Sequence, residues 1–503
     1  MTGRTSSSSA SAVITGGRMV AAPSSGDEGL GPPVDIHVRD GVIEDIRLAR
    51  GGPGTIDASG LVLLPGMVNG HTHSHETFHR GRYPKDRLEN WMLHVRPPLP
   101  LDLSPEDIYL RTALTAIEAV RGGSTLLVDD VGLPGLPTAH LEAVQRAYTD
   151  VGIRAVVAPT MFDRTFVESV PFVSELLSPE AHQVFAQAAG DPSSALDELT
   201  RRLSTQAADI PGRVELAVAA SAPHRCSDDF LIALFEIART ADVPVLSHLN
   251  ETRAQAATAQ LLFGETMTAH LSRLGLLSDR LTAIHGIWLT SGDVELLATN
   301  GVTVQHNPLS NLRLGSGVAA VQALRRAGVR VSLGSDGLGS TVTMSMISVV
   351  REAALLSTVR PDRSDWVDVR DAFAMATVEG AQAIGKQRLG RLEVGWQADL
   401  VGVPLNHSVL TPLHDPLRQI VYGAAPVELS IVGGSVVMAA GRLTQVDERD
   451  LLARASAVHR RIRPRIDAAD SWLEQHTAGP MAAALAELDR TPVPPPAFAA
   501  VVR

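Results

Sequence analysis

The chain is poor in cysteine, lysine and aromatic residues, and these shortages exclude several classes of protein. Its 503 residues contain one cysteine, Cys226, which excludes an internal disulfide framework and a cysteine-rich zinc finger. No uninterrupted apolar run approaches the ~18 residues of a membrane-spanning helix. The N-terminus lacks the apolar stretch of a secretory signal. We therefore expect a cytoplasmic protein that does not enter a membrane.

Charge and length narrow the class further. The chain has 55 acidic and 44 basic residues, a net charge of −11, and no dense basic run. This balance disfavours a nucleic-acid polymer as partner, whereas a single base or nucleoside needs only a pocket. With 45% hydrophobic residues, a chain of this length can bury a large core, which excludes global disorder.

Composition changes along the chain suggest five segments. Short alternating β-like runs separated by Gly and Pro occur near both ends, and a rhythm of strands and helices fills the middle. We predict a disordered N-terminus (1–12), the first part of a β domain (13–65), a large α/β domain (66–390), the second part of the β domain (391–445) and a C-terminal helical extension (446–503).

Eight apolar, β-rich runs alternate with amphipathic helical segments in the middle of the chain. The runs are Val68–His73, Thr125–Asp130, Arg154–Met161, Val214–Ala220, Val243–Leu249, Leu281–Ile287, Val302–His306 and Val329–Ser335. Eight β/α units in succession predict a (β/α)8 TIM barrel of the α/β class. No Gly-rich loop follows the first run, which disfavours an open doubly wound sheet. The long Phe162–Gly212 connection is predicted to be mostly helical.

Histidine or aspartate stands at the end of several of these runs. His71 and His73 are two residues apart, so in a strand both side chains face the same side. The other strand-end residues are His248, His285, His306 and Asp336. Catalytic residues of a barrel collect at the C-terminal ends of its strands, and this donor set suits zinc or iron(II). We expect a metal site here rather than scattered core histidines.

Glu251 follows His248 by three residues, which puts both side chains on one face as the chain begins to coil. A carboxylate beside a metal-activated water can take its proton and pass it to a leaving group. The alternative is a glutamate that favours a helix start through the macrodipole. Spacing alone leaves both interpretations open.

A series of motifs in this order resembles the amidohydrolase superfamily. The resemblance is closest to the branch of cytosine, guanine and S-adenosylhomocysteine deaminases and s-triazine hydrolases. It covers residues 57–442. The motifs are PGMVNGHTH (65–73), GGSTLLVDD (122–130), SHLNET (247–252), AIHGIWLT (283–290), QHNPLSNLRLGSG (305–317), SLGSDG (332–337), ATVEGAQAIG (376–385) and GRLEVGWQADLV (390–401).

The resemblance implies a metal barrel flanked by a small composite β-sandwich built from both ends of the chain. It implies one divalent ion, zinc with iron(II) as the alternative, held by His71, His73, His248 and Asp336. Glu251 would shuttle protons, His285 would orient and polarise the water, and Asp336 would also accept a proton from it.

The scarcity of lysine bears on the number of metal ions. Relatives with two ions bridge them through a carbamylated lysine in a barrel strand. The two lysines here, Lys85 and Lys386, lie in none of the candidate strands. A bridged pair of ions is thereby excluded, and one ion per chain is expected.

The resemblance also suggests substrate contacts, each with an alternative. His306 and Asn307 would bind polar groups of the substrate, whereas Asn311 could bind it or shape its own loop. Trp91 lies where relatives place an aromatic over the substrate, but it could equally pack a helix. His224 occupies a position where we expect Gln in relatives, so it could touch the ring or lie in a surface loop.

The resemblance implies a hydrolase acting on C–N bonds other than peptide bonds. The leading hypothesis is deamination of a purine, pyrimidine, pterin or triazine-like ring by attack of metal-bound hydroxide, releasing ammonia. The same site could instead remove chloride or an alkylamine from a ring, or open a cyclic amide. A non-catalytic binding module is the third hypothesis. The expected partner is a small heterocycle, and a homo-oligomer is compatible with the resemblance.

Overall fold

The structure, a computed structural model, describes residues 11–20, 29–51, 54–83, 86–206 and 213–497. Of the segment predicted to be disordered, residues 1–10 lie outside this description, and residues 11 and 12 begin the first strand. Five strands precede the barrel. They are β1 (Ser11–Val20), β2 (Leu30–Arg39), β3 (Val42–Leu48), β4 (Ile56–Asp57) and β5 (Leu61–Pro65).

The β2–β3 hairpin shows how local sequence sets this part of the fold. Asp40 and Gly41 join the two strands, and both have positive φ angles, 51° and 79°. An Asp-Gly pair in this conformation forms the tight turn whose twist matches antiparallel strands. The hairpin places Ile36 on β2 against Ile14 of β1, and both side chains are fully buried.

The central strands are all parallel and form the predicted barrel. They are β6 (Met67–Thr72), β7 (Ser124–Val131), β8 (Arg154–Met161), β9 (Val214–Leu216), β10 (Val218–Ala220), β11 (Val245–Leu249), β12 (Leu281–His285), β13 (Thr303–His306) and β14 (Arg330–Leu333). The predicted fourth strand is split at Ala217 into β9 and β10. The first and last strands meet where the backbone N–H of Asp336 donates to the carbonyl of His71 at 3.0 Å.

Helices cover the outside of the barrel and its mouth. They are α1 (Leu88–Val95), α2 (Pro105–Arg121), α3 (Thr138–Val151), α4 (Phe166–Ser169), α5 (Val173–Leu176), α6 (Pro179–Ala189), α7 (Pro192–Thr205), α8 (Asp228–Ala241), α9 (Arg253–Phe263), α10 (Met267–Arg273), α11 (Ser291–Thr299), α12 (Pro308–Arg313), α13 (Val321–Arg326), α14 (Met346–Ser357), α15 (Val369–Met375), α16 (Val378–Ala383), α17 (Pro416–Gly423), α18 (Glu448–His476) and α19 (Ala478–Arg490). Short 3-10 helices span Ser74–His79, Pro223–Arg225, Arg363–Asp365 and Ser408–Leu410.

The long connection after β8 is helical where it is described, because it carries α4 to α7. Its helices start with ordinary capping residues: Ser178 and Asp191 each accept hydrogen bonds from the first turn, and a proline follows each of them. Residues 207–212 of the predicted connection lie outside the described part of the chain.

The last strands return to the N-terminal β domain. They are β15 (Leu400–Pro404), β16 (Leu429–Val432), β17 (Ser435–Ala439) and β18 (Arg442–Leu443). β15 pairs antiparallel with β5, so the sheet runs β18-β17-β16-β15-β5-β1-β2-β3, with β4 beside β1. Both ends of the chain thus contribute to the small β domain, as the resemblance implied. The five segment limits given above stay a prediction.

The C-terminal extension folds back onto the barrel. α18 packs against α2, and α19 packs against α9 and α5. Leu473, Met481 and Leu488 share a buried apolar cluster with Val173 and Phe185 of the long connection. Among the described residues, no helix is both long and apolar enough to cross a membrane.

Candidate metal centre and active site

The strand-end histidines and aspartate converge on one buried point inside the barrel. His71 lies near the end of β6 and His73 directly follows that strand, and their ring centroids lie 4.6 Å apart. The ring of His248, at the end of β11, lies 5.1 Å from that of His71 and 5.4 Å from that of His73. Asp336 follows β14 and brings its Oδ1 atom to 3.5 Å from His71 Nε2 and 3.4 Å from His73 Nε2.

Neighbouring backbone carbonyls orient two of these imidazoles. The Nδ1 of His73 donates to the Asp130 carbonyl at 2.6 Å, and that of His248 donates to the Ser221 carbonyl at 2.8 Å. In its neutral form each ring therefore offers Nε2, which is the atom a metal needs.

The donor set fits a divalent ion. Both ring nitrogens of His71 are buried and have no hydrogen-bond partner among the described residues. Burial and the nearby imidazoles of His71 and His73 hold the pKa of His248 well below its usual value, so that ring is neutral. Burial alone would raise the pKa of Asp336, but the adjacent imidazoles of His71 and His73 hold it well below the usual range. Imidazoles together with an ionised carboxylate could hold a metal ion.

Two backbone conformations aim the reactive side chains. His285 and Asp336 have φ angles of 74° and 63°, in the left-handed region that non-glycine residues rarely occupy. Such conformations cost of order 1–3 kcal/mol and concentrate at functional sites. Here they turn both side chains from their strand ends towards the cluster.

Glu251 and His285 form a pair beside the cluster. His285 Nδ1 donates to Asn311 Oδ1 at 2.7 Å, which leaves its Nε2 as an acceptor 3.6 Å from Glu251 Oε1. Burial, helped by the charges of Asp336 and Glu89, raises the pKa of Glu251 well above its usual value. Burial lowers the pKa of His285 to about 4. A protonated carboxyl therefore stands next to a neutral imidazole, as acid–base chemistry requires.

A small pocket opens in front of Glu251 and His248. Its volume is about 40 Å³, and residues from several elements line it, including Glu89 of α1, Phe166 of α4 and Leu488 of α19. The long connection and the C-terminal extension thus both reach the pocket, although no catalytic role is expected of the extension.

The predicted substrate contacts fall into two groups. His224 lines the pocket and is buried, with no hydrogen-bond partner for its Nδ1 atom among the described residues. Trp91, His306, Asn307 and Asn311 are buried but lie outside that lining. Trp91 packs with Tyr83 and Leu88, which is the alternative that the sequence left open. Their roles as substrate contacts stay a prediction.

The structure adds residues that the sequence analysis missed. Glu89 is 4% exposed and lines the pocket; its Oε1 accepts from Thr252 Oγ1 at 2.6 Å, and its Oε2 has no partner among the described residues. Ser316 donates to Glu251 Oε1 at 3.4 Å. Glu89 stands two residues before Trp91 and on a buried helix face. The sequence shows Glu89 close to Trp91, but this spacing does not indicate that Glu89 lines the pocket.

Comparison with known proteins places this geometry in a family. A model of the amidohydrolase family matches residues 62–437. The chain is 29% identical to a 5′-deoxyadenosine deaminase of Methanosarcina mazei over 88% of this chain and 96% of the relative. It is 31% identical to a 5-methylthioadenosine/S-adenosylhomocysteine deaminase of Desulforudis audaxviator, over 84% of this chain and 94% of the relative.

Solved structures agree with that result. An adenosine deaminase from Xanthomonas campestris with bound zinc is 29% identical and superposes with a TM-score of 0.78, covering 90% of this chain and 98% of that one. An atrazine chlorohydrolase from Arthrobacter aurescens complexed with zinc has a TM-score of 0.77 at 23% identity, with 89% and 99% coverage, and this likeness shows the fold alone.

Proposed function

The chain belongs to the amidohydrolase family, and on that premise we propose that it hydrolytically removes the 6-amino group of a 5′-modified adenosine. The observation that carries the proposal is the buried carboxyl of Glu251. It lies between the strand-end cluster and the pocket, where a deaminase needs a proton donor. The adenosine part of the proposal is supported by relatives named for such nucleosides, which this chain matches over most of its length.

In the proposal His71, His73, His248 and Asp336 would hold one zinc ion. A bound divalent ion supplies Lewis-acid activation of a water molecule at neutral pH. Support comes from the buried, unpartnered nitrogens of His71 and from the zinc in the adenosine deaminase structure.

Residues of this chain carry out the proton transfers. The protonated Glu251 carboxyl donates its proton to the ring nitrogen beside C6, which makes C6 a better electrophile. His285 Nε2 accepts a hydrogen bond from the attacking water and holds it in line, since Asn311 fixes its tautomer. The water oxygen bonds to C6, and the proton that the water releases passes through Glu251 to the amine. The C6–N bond then breaks and ammonia leaves. C6 keeps the oxygen as a carbonyl, and the second proton of the water returns Glu251 to its protonated form.

Glu89 supports a nucleoside rather than a bare base. Its buried Oε2 has no hydrogen-bond donor among the described residues, although Arg87 Nε lies 3.9 Å away, and a buried carboxylate oxygen without a donor is costly. The vicinal hydroxyls of a ribose supply such donors. We therefore assign the sugar to the side of the pocket formed by α1.

Ammonia release by zinc-loaded protein tests the proposal. We expect one ammonia per 5′-deoxyadenosine or 5′-methylthioadenosine. Glu251→Gln should retain its metal and lose turnover by ~10²–10⁴, the usual contribution of an acid–base group. Glu265→Gln changes a partly exposed carboxyl paired with Arg273 and serves as the matched control.

Three results would contradict the proposal in different ways. Unchanged turnover in Glu251→Gln removes the proton-transfer role. Chloride release from a chlorotriazine, with no ammonia from any nucleoside, favours the other leaving group. A folded protein that binds no added zinc and converts none of these substrates would be a non-catalytic binding module.

A further inference from the structure

A second, much larger cavity adjoins the reaction pocket. Its volume is about 730 Å³. The two cavities share Met92, Arg96, Phe166 and Arg225 as a common boundary. A ligand held at Glu251 can therefore extend past this boundary into the larger cavity, which we call the arginine chamber after Arg96, Arg111 and Arg225.

The guanidinium groups of the arginine chamber have few partners. Arg111 and Arg225 are only 6% and 5% exposed. Arg111 donates one long hydrogen bond, to the Gly132 carbonyl at 3.4 Å, and Arg225 donates to Ser221 Oγ at 2.9 Å. The Nε atom of each has no hydrogen-bond partner within the described ranges, and the Nε of Arg96 donates to His75 Nε2 at 3.1 Å. None of the three forms an ion pair with a carboxylate of the described residues.

Burying a cation without a directly paired carboxylate is costly. The charges of Asp129 and Asp130 act favourably on Arg111 and Arg225 from a distance, but burial has the larger effect. Burial lowers the pKa of Arg111 to about 10, and burial together with the charge of Arg96 lowers that of Arg225 to about 9. Both groups remain cationic at neutral pH. An anionic ligand would satisfy their free donors with charge-assisted hydrogen bonds, for which the planar guanidinium is well suited.

Apart from the arginines, the lining is mostly apolar, and its uncharged polar residues are His75, His79, His140, Thr160, Thr165 and Gln187. The run Pro97–Leu101 forms one side, and the ring of Phe162 lies under Arg225 at 4.3 Å. Asp102 is the one carboxylate among the described residues that line the chamber, and it is paired with Arg465. An ammonium group would therefore find no free carboxylate there.

We infer that the arginine chamber binds an arm of the substrate that ends in a carboxylate or phosphate and carries no ammonium group. An apolar spacer would link this anion to the 5′ carbon of the nucleoside. The inference rests on the proposed function for the position of the nucleoside. It separates this chain from relatives named for S-adenosylhomocysteine, whose amino-acid arm carries both charges.

Three ligands that differ by one group each test the inference. They are S-adenosylhomocysteine, its analogue without the amino group, 5′-S-(3-carboxypropyl)-5′-thioadenosine, and the carboxamide of that analogue. Binding is measured by calorimetry on zinc-loaded Glu251→Gln protein, which stops turnover. We expect the carboxylate to bind about tenfold or more tightly than the carboxamide, and more tightly than S-adenosylhomocysteine.

Two variants locate the effect. Arg225→Gln should bring the carboxylate and the carboxamide to equal affinity. Arg360→Gln should preserve the preference, because Arg360 is also buried with an unpartnered nitrogen but lines neither cavity. The comparison of ligands on the unchanged chamber stands even if a variant fails to fold.

The outcomes separate the inference from the proposed function. Equal binding of carboxylate and carboxamide, or no binding of either, overturns the inference, and tighter binding of S-adenosylhomocysteine overturns the exclusion of an ammonium. If inorganic phosphate alone binds as tightly as the carboxylate analogue, the chamber binds a free anion, and the inference that it binds an arm of the substrate is contradicted. Ammonia release from 5′-deoxyadenosine by the unaltered protein is measured in parallel. If no ammonia is released although the carboxylate is clearly preferred, the proposed reaction is contradicted and the inference about the arginine chamber stands.

Discussion

The reaction pocket has two walls of different origin. One is at the ends of the parallel strands, where His248 lines the pocket and His71 and Asp336 lie behind it. The other is made by helices from distant parts of the chain, which carry Glu89 and Leu488. The strand wall holds the groups of the proposed chemistry, and the helical wall holds those that would choose the substrate.

The two walls are also held in place differently. The strand wall is fixed by the barrel's own hydrogen bonds, such as that from the Asp336 N–H to the His71 carbonyl. The helical wall depends on side-chain packing and ion pairs between segments far apart in the chain, among them Arg87 with Asp489 at 2.8 Å. A family can therefore keep one reaction while its substrates change, since helices can shift without moving the strand ends.

The largest effect should come from breaking the strand wall. His71→Ala removes a ring whose two buried nitrogens have no hydrogen-bond partner among the described residues and whose Nε2 lies 3.5 Å from Asp336 Oδ1. We expect the bound metal to fall well below one ion per chain and turnover to fall by more than about 100-fold, beyond what loss of an outer-shell partner costs. Metal analysis and ammonia release measure both, with exposed His414→Ala as control. Full metal content in His71→Ala would contradict the proposed ligand set.

Much of the strand wall could be predicted from the sequence, because its residues mark the ends of apolar runs. The motif around His71 and His73 combines a strand with two side chains on one face. Asp336 and His285 likewise close recognisable runs. Parallel strands in a barrel bring their ends together wherever they lie in the chain, so finding the strands was enough to bring the residues together.

The helical wall could not be predicted in the same way. Glu89 belongs to an ordinary amphipathic helix, and its place at the pocket follows from how α1 packs against α18 and α19. Leu488 comes from the C-terminal extension, where local patterns predict helices but not the surface they cover. Arg225 stands next to the predicted contact His224, yet the lack of partners that makes it informative exists only after folding.

The helical wall should affect binding more than chemistry, and Glu89→Gln tests this. Loss of its negative charge weakens hydrogen bonds to the ribose hydroxyls, so KM for 5′-deoxyadenosine should rise about tenfold. The change in kcat should be much smaller, because Glu89 does not touch the reacting ring in the proposal. With 2′,3′-dideoxyadenosine, which lacks both hydroxyls, the variant and the unaltered protein should have similar KM values. A fall in kcat with KM unchanged would mean that Glu89 takes part in the reaction step. The division between a catalytic strand wall and a substrate-binding helical wall would then be wrong.

The smallest effect on turnover should come from the contact that ties the C-terminal extension to α1. Asp470 on α18 accepts hydrogen bonds from Arg82 at 2.7 Å and from His94 Nδ1 at 2.7 Å. Asp470→Asn should cost about 1–3 kcal/mol of stability, since it weakens charged hydrogen bonds at a partly buried position. It should lower Tm and speed proteolysis within 448–490, with little change in turnover. Asp467→Asn is the matched control, because Asp467 pairs with the same arginine while half exposed, where ion pairs contribute less than about 1 kcal/mol. Equal, small effects in both variants would mean that apolar packing alone holds the helical wall, and the contrast between hydrogen-bonded strands and ion-paired helices would then fail.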